Sequence, residues 1–193
     1  MPKVSNRERI LTEGLRVVHE RGFANASVRD IVQAAGVPQG SFTNHFASKE
    51  AFGLEIIDLY FSNSRRVIAE TLRNDALDPL DRLGAYIDAQ LDRLNRNNMR
   101  NGCLFGNFTA EASESSEPIR ARVLEIFGET RLAIAYCLRA AVTAREITKV
   151  IDCDDIAAFV VSSLQGAILL SKAHRSPEPI ARFRRILFAM VLR

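Results

Sequence analysis

VRDIVQAAGVPQGSFTNHF, residues 28–46, reads as two short helices joined by a tight glycine turn, with Lys49 heading a third. In the second of these helices Phe42 and Phe46 share one face, and Gln39, Gly40, Thr43 and Asn44 share the other. A helix that faces water usually carries Lys and Glu. This outer face carries small, uncharged, hydrogen-bonding groups instead, a composition suited to a flat polar surface such as DNA base edges. Gln39 and Asn44 are of the types that pair bidentately with adenine, and Thr43 has a methyl to set against the thymine methyl. Gly40 permits close approach of a base or phosphate. Arg29 and Lys49 flank the face as phosphate contacts, which position a protein without reading sequence. Ser27 and the helix it begins add backbone N–H donors for phosphate, and His45 adds another donor. Spacing alone leaves an ordinary helical hairpin inside a bundle open.

The rest of the chain is also helical in pattern. No stretch alternates strictly, and Gly and Pro fall mostly between helical periods. The first helix is expected over Asn6 to Arg21, with Ile10, Leu11, Leu15 and Val18 along one stripe and Gly22 closing it. Ser27 caps the second helix and Pro38 begins the third. A long fourth helix runs from Ser48 to about residue 73, and a fifth from Asp78-Pro79 to the polar cluster at 95–101. A short sixth helix follows Gly102, and the seventh spans about 117–145. Asp154 caps the eighth, which reaches about His174, and Ser176-Pro177 starts a ninth that runs to the C-terminus. The fold class expected is therefore all-α, with about nine helices.

Composition narrows the function classes. The chain has 193 residues, 47 % of them hydrophobic, so a sizeable core is available. A net charge of +3 is compatible with nucleic acid but too weak to argue for it alone. Cys103, Cys137 and Cys153 form an odd set without metal-type spacing, which fits a reducing cytoplasm better than a disulfide framework. The N-terminal residues have charges and no long apolar run, unlike a signal peptide. The apolar stretch from Ile156 to Leu170 is short for a membrane span and reads as a buried helix. No glycine-rich phosphate loop, metalloprotease His pair or nucleophile elbow is present, and His19, His45 and His174 fall in separate elements. These features argue against an enzyme, a metal site and a cofactor.

The C-terminal helices carry a second signal. The eighth is apolar nearly all round, through Ile156, Phe159, Val160, Leu164, Ile168 and Leu170, so it has to be covered on every side. Ser162, Ser163, Gly166 and Ala167 allow close helix approach. Such a pair either plugs its own core or forms half of a four-helix interface.

Residues 7 to about 57 resemble the DNA-binding domain of TetR-type transcriptional regulators. The features that match are an amphipathic first helix ending in RGF, then SVRDIVQAAGV, QGSFTNHF and SKEAF. The resemblance implies a helix-turn-helix DNA-binding domain over residues 1–48 and a helical ligand-binding and dimerisation domain over 49–193. The family's DNA-contacting positions fall on Ser27, Arg29, Gln39, Gly40, Thr43, Asn44, His45 and Lys49. The family usually has an aromatic where this chain has Thr43, and often another at Asn44. The implied partners are a double-stranded, near-palindromic DNA operator, a small-molecule effector, and a second copy of the chain through helices eight and nine. The implied activity is a cytoplasmic repressor released by its effector, with a helical adaptor that does not bind DNA specifically as the alternative. Phe108 and Phe127 are candidate pocket walls, with Arg131 or Gln165 as polar anchors.

Cys103 lies at the expected N-terminus of the sixth helix, where the dipole lowers a thiol's pKa and favours thiolate. The Gly-Cys-Leu segment, with GNFTAE after it, resembles a branch of the family that responds to reactive electrophiles or short unsaturated acids. That resemblance alone pairs Cys103 with Lys172. On the residues themselves, a buried unreactive thiol remains an equal reading.

Overall fold

The structure is a computed structural model, and it describes residues 4–192. Among these residues it is helical throughout: α1 Asn6–Arg21, α2 Val28–Ala35, α3 Gly40–His45, α4 Lys49–Glu70, α5 Pro79–Asn95, α6 Leu104–Ala112, α7 Glu117–Thr143, α8 Cys153–His174 and α9 Glu178–Ile186. A π-helical turn, Leu187–Val191, follows α9. The ninth helix was expected to stay regular to the end of the chain. Its bonding widens after Ile186, with Leu192 N–H reaching the Leu187 carbonyl at 3.0 Å. Residues 1–3, part of the N-terminal segment read above as unlike a signal peptide, and Arg193 lie outside the described residues.

Helix ends follow local hydrogen-bond chemistry. Ser5 caps α1 and Ser27 caps α2, each in a reciprocal box, with Glu8 and Asp30 as the respective partners. Gly36 ends α2 at φ 60°, ψ 41°, a left-handed conformation that glycine takes without a Cβ penalty. Pro38 opens the approach to α3, but the first bonds are of the tighter type: Ser41 N–H to the Pro38 carbonyl at 2.9 Å and Phe42 N–H to the Gln39 carbonyl at 3.2 Å. Regular α3 therefore begins at Gly40. Helix α4 stops at Glu70, short of residue 73. The cap of α8 is Asp152, two residues earlier than Asp154. Its Oδ1 accepts the Asp154 and Asp155 N–H groups at 2.9 and 3.1 Å. Asp154 is drawn instead to Arg131 and Arg139 on α7.

The chain forms two compact units. The first is Met1–Ser62 with Leu104–Leu124, and the second is Asn63–Cys103 with Glu125–Arg193. This division differs from one at residue 48, because α6 and the start of α7 group with the N-terminal helices. In the first unit Ile10, Val17, Val18, Ile31, Val32 and Ile56 are buried between helices. Phe42, Phe46 and Phe52 close the space behind α3 as a ring cluster with centroids 5.1–5.2 Å apart. An added Cβ at Gly14 would sit 2.4 Å from Phe52 Cζ, so α1 needs glycine there to approach α4.

In the second unit, α8 buries Ala157, Val160, Leu164, Ala167 and Ile168. It does not cover its whole circumference. Phe159, Leu169 and Leu170 remain 45, 66 and 51 % exposed, as do Ile186 and Met190 near the C-terminus at 47 and 74 %. Helix α8 is long and apolar enough to cross a membrane by length and composition, longer than its central apolar stretch suggested.

Candidate nucleic-acid interface and sensing residues

The residues expected at DNA all belong to the first unit. Ser27, Arg29, Gln39, Gly40, Thr43, Asn44 and His45 are exposed, while Lys49 is partly buried. Phe42 and Phe46, on the opposite face of α3, are each only 3 % exposed. The division read from the sequence thus holds in three dimensions: aromatic groups anchor the helix, and uncharged groups face outward. An added Cβ at Gly40 would meet nothing within 4 Å. No internal contact requires glycine there, although glycine in a helix costs about 1 kcal/mol relative to alanine. Thr43 donates its hydroxyl to the Gly40 carbonyl at 3.1 Å.

The support behind this face includes residues that the sequence reading missed. Arg9 donates to the Gly36 carbonyl at 3.2 Å, fastening α1 to the turn between α2 and α3. Arg7 pairs with Glu55 and lies 5.6 Å from the Phe46 ring centroid. Arg21 pairs with Asp30 at 3.0 Å. Hydrogen bonds from Ser27 hold the Asp30 carboxyl below its ordinary range, and Arg21 adds to that effect. Lys49 donates to the Ala24 carbonyl at 3.2 Å and sits 4.9 Å from the Phe23 ring centroid. Partial burial pulls its ammonium pKa down, against the attraction of Glu111. One of its three donors is thus engaged within the protein, and two remain for a phosphate. Arg7, Arg9 and Lys49 meet partners 48, 27 and 25 residues away, and such separations leave no periodic signal in the sequence.

The candidate sensing residues are spread over both units. Phe108 lies in the first, buried against Phe23 with ring centroids 4.8 Å apart. Cys103, Phe127, Arg131, Gln165 and Lys172 lie in the second. Cys103 is buried and immediately precedes α6. Tyr86 is its neighbour: burial chiefly, and the nearby Cys103 secondarily, push the Tyr86 phenol far up. Phe127, Gln165 and Lys172 are half-buried. Arg131 pairs with Asp154 at 3.4 Å, so its charge is engaged at the first turn of α8. Cys137 donates to the Pro79 carbonyl at 2.9 Å, and burial pushes its thiol up to about 11. A groove of about 430 Å³ between α5 and α9, lined by Ile87, Leu91, Ile180, Arg184 and Phe188, contains none of the sensing candidates. Among the described residues no cluster of His, Cys, Asp or Glu could hold a metal ion.

Comparison with known proteins decides the lineage. Residues 10–56 match the family described as bacterial regulatory proteins, tetR family, and residues 79–187 match the tetracyclin repressor-like C-terminal domain. The chain belongs to the TetR family. It is 36 % identical over 192 residues to the HTH-type transcriptional repressor DhaR of Mycobacterium sp. (strain GP1), covering 100 % of this chain and 95 % of DhaR. It is 29 % identical to the HTH-type transcriptional repressor NemR of Escherichia coli K12, covering 90 % of this chain and 87 % of NemR. The crystal structure of reduced E. coli NemR matches with a TM-score of 0.81 and 26 % identity, over 94 % of this chain and 95 % of that one. The crystal structure of regulatory protein TetR from Rhodobacter sphaeroides matches with a TM-score of 0.90 and 28 % identity, over 95 % of this chain and 97 % of that one. As a TetR-family member the chain is a ligand-responsive, DNA-binding transcriptional regulator, and its relatives are regulators rather than enzymes.

Proposed function

We propose that this TetR-family chain represses transcription in the cytoplasm by binding a near-palindromic operator as a homodimer, and that a small electrophile or unsaturated acid releases it. Residues 1–48 read the DNA, and residues 49–193 sense the effector and pair the two copies. Gln39, Thr43 and Asn44 contact bases, with Gly40 allowing close approach. Ser27, Arg29, His45 and the two remaining donors of Lys49 contact phosphate. The observation that carries this reading is the exposed, uncharged outer face of α3, with a glycine that no internal contact demands.

The dimer is supported by the uncovered side of α8, α9 and the π-helical turn that follows. Phe159, Leu169, Leu170, Ile186 and Met190 are exposed there. Gly166 on the same helix has nothing within 4 Å of an added Cβ, so a partner helix has room to approach closely. A two-fold pair places its reading helices one DNA turn apart, roughly 34–36 Å.

For release, Cys103 is the nucleophile and Lys172 its partner, with Phe127 and Gln165 lining the effector's path. Arg131 serves as an anchor only if it leaves Asp154. Sulfur bonds to the β-carbon of an unsaturated carbonyl compound, and the thiol proton ends on the α-carbon through solvent. A mobility-shift assay tests the whole scheme, using the DNA upstream of the chain's own gene. Wild type binds and is released by N-ethylmaleimide, while Cys103→Ser binds equally and is not released. Release of Cys103→Ser by the reagent contradicts the sensor, and failure of wild type to bind that DNA in preference to unrelated DNA favours the adaptor.

A further inference from the structure

We infer that Glu111, on α6, is a positioning residue for DNA binding: its carboxylate pins the turn between α1 and α2 and so fixes the start of α2, with Ser27 and Arg29. The inference rests on the DNA-binding reading above and concerns a residue far from α3 in sequence. The Ala24 N–H donates to Glu111 Oε2 at 2.9 Å. Gly22, at φ 88°, makes room for this contact, since an added Cβ would lie 2.7 and 2.9 Å from the two carboxylate oxygens. The carbonyl of the same Ala24 accepts from Lys49 Nζ at 3.2 Å. Between them the Phe23 ring packs on Phe108 of α6, and an added Cβ at Gly53 of α4 would lie 2.8 Å from it. The segment 22–24 is thus gripped by α6 through one peptide N–H and one ring, and by α4 through the carbonyl of the next peptide group. Ala26 N–H returns to the Gly22 carbonyl at 3.1 Å, and Ser27 then caps α2. All of these residues belong to the first compact unit.

Charge gives the inference a distinctive sign. A carboxylate repels DNA phosphates, so removing a bystander Glu leaves binding unchanged or tightens it. A positioning Glu behaves oppositely when its acceptor is lost. Glutamine keeps an acceptor for the Ala24 N–H while losing the charge, so it separates the two roles.

The test measures full-length wild type, Glu111→Ala and Glu111→Gln against a duplex carrying the DNA upstream of the chain's own gene, across a salt series. Amide exchange at Ala24 is followed without DNA. Glu111→Ala is expected to weaken binding roughly three- to tenfold, the net scale of one solvent-exposed hydrogen bond. Its salt slope stays that of wild type, because no phosphate contact is lost. Glu111→Gln binds at least as tightly as wild type. In Glu111→Ala the Ala24 amide exchanges faster while the amides of Val17 and Val18 in α1 do not, which separates loss of the turn from loss of the fold. Equal or tighter binding by Glu111→Ala, or unchanged exchange at Ala24, overturns the inference. Wild type that binds no duplex overturns the DNA reading itself, a result distinguishable because the exchange comparison stands without DNA.

Discussion

Thr43 occupies a position where the TetR pattern usually has an aromatic, and its hydroxyl is engaged with the Gly40 carbonyl. In the proposed DNA complex it therefore offers the base chiefly its methyl. Removing a thymine methyl by deoxyuridine substitution at the contacted base should cost wild type about 0.8 kcal/mol, roughly fourfold in Kd. Thr43→Val should show the same cost, and Thr43→Ser should show none. A hydroxyl that reads the base instead would leave all three proteins insensitive to deoxyuridine and make Thr43→Val bind more weakly than Thr43→Ser. The outer residues of α3 were legible in the sequence because surface helices have an expected chemistry, and this one departs from it. Glu111 and Arg9 were not legible. Glu111 meets the Ala24 amide 87 residues away, and Arg9 meets the Gly36 carbonyl 27 away, and neither spacing leaves a periodic trace.

Individual helices were legible to different degrees. Residues 28–35 have Ser before the apolar run and Gly after it, and both ends of α2 fall as those residues dictate. At α8, Asp152, Asp154 and Asp155 can all serve as caps by type. The choice of Asp152 depends on Arg131 and Arg139 drawing Asp154 aside, a tertiary effect with no local sign. The cap of α2 is testable. Ser27→Ala should destabilise the protein by about 1 kcal/mol at neutral pH, read from denaturant unfolding. The Asp30 carboxyl is held below its ordinary 3.8, so its folded state favours the charged form. That contribution is present above about pH 4 and is lost as pH falls through the lower folded value. The gap between wild type and Ser27→Ala should therefore narrow below pH 4. A gap that widens in acid would contradict the Ser27–Asp30 box.

At the scale of the whole molecule, the all-helical fold could be read from the sequence, while the grouping of α6 with the N-terminal helices could not. The sequence demanded that α8 be covered on every side, yet a single chain leaves Leu169 66 % exposed. The second copy proposed above would cover that surface. Wild type should sediment as a dimer at micromolar concentration, and Leu169→Glu should shift it toward monomer and weaken operator binding. A monomeric wild type would contradict the pairing proposed for α8 and α9.

The central claim is that an exposed α3 reads DNA from a frame anchored on phosphates. The most direct measurement is the affinity for the upstream duplex as a function of salt, in wild type and in Arg29→Gln. Specific binding should weaken linearly on a log–log plot, with a slope steeper than about −4 for several phosphate contacts in each half-site. Arg29→Gln should flatten that slope by about two, one contact from each copy. A slope near zero, or equal affinity for unrelated DNA, would contradict the account.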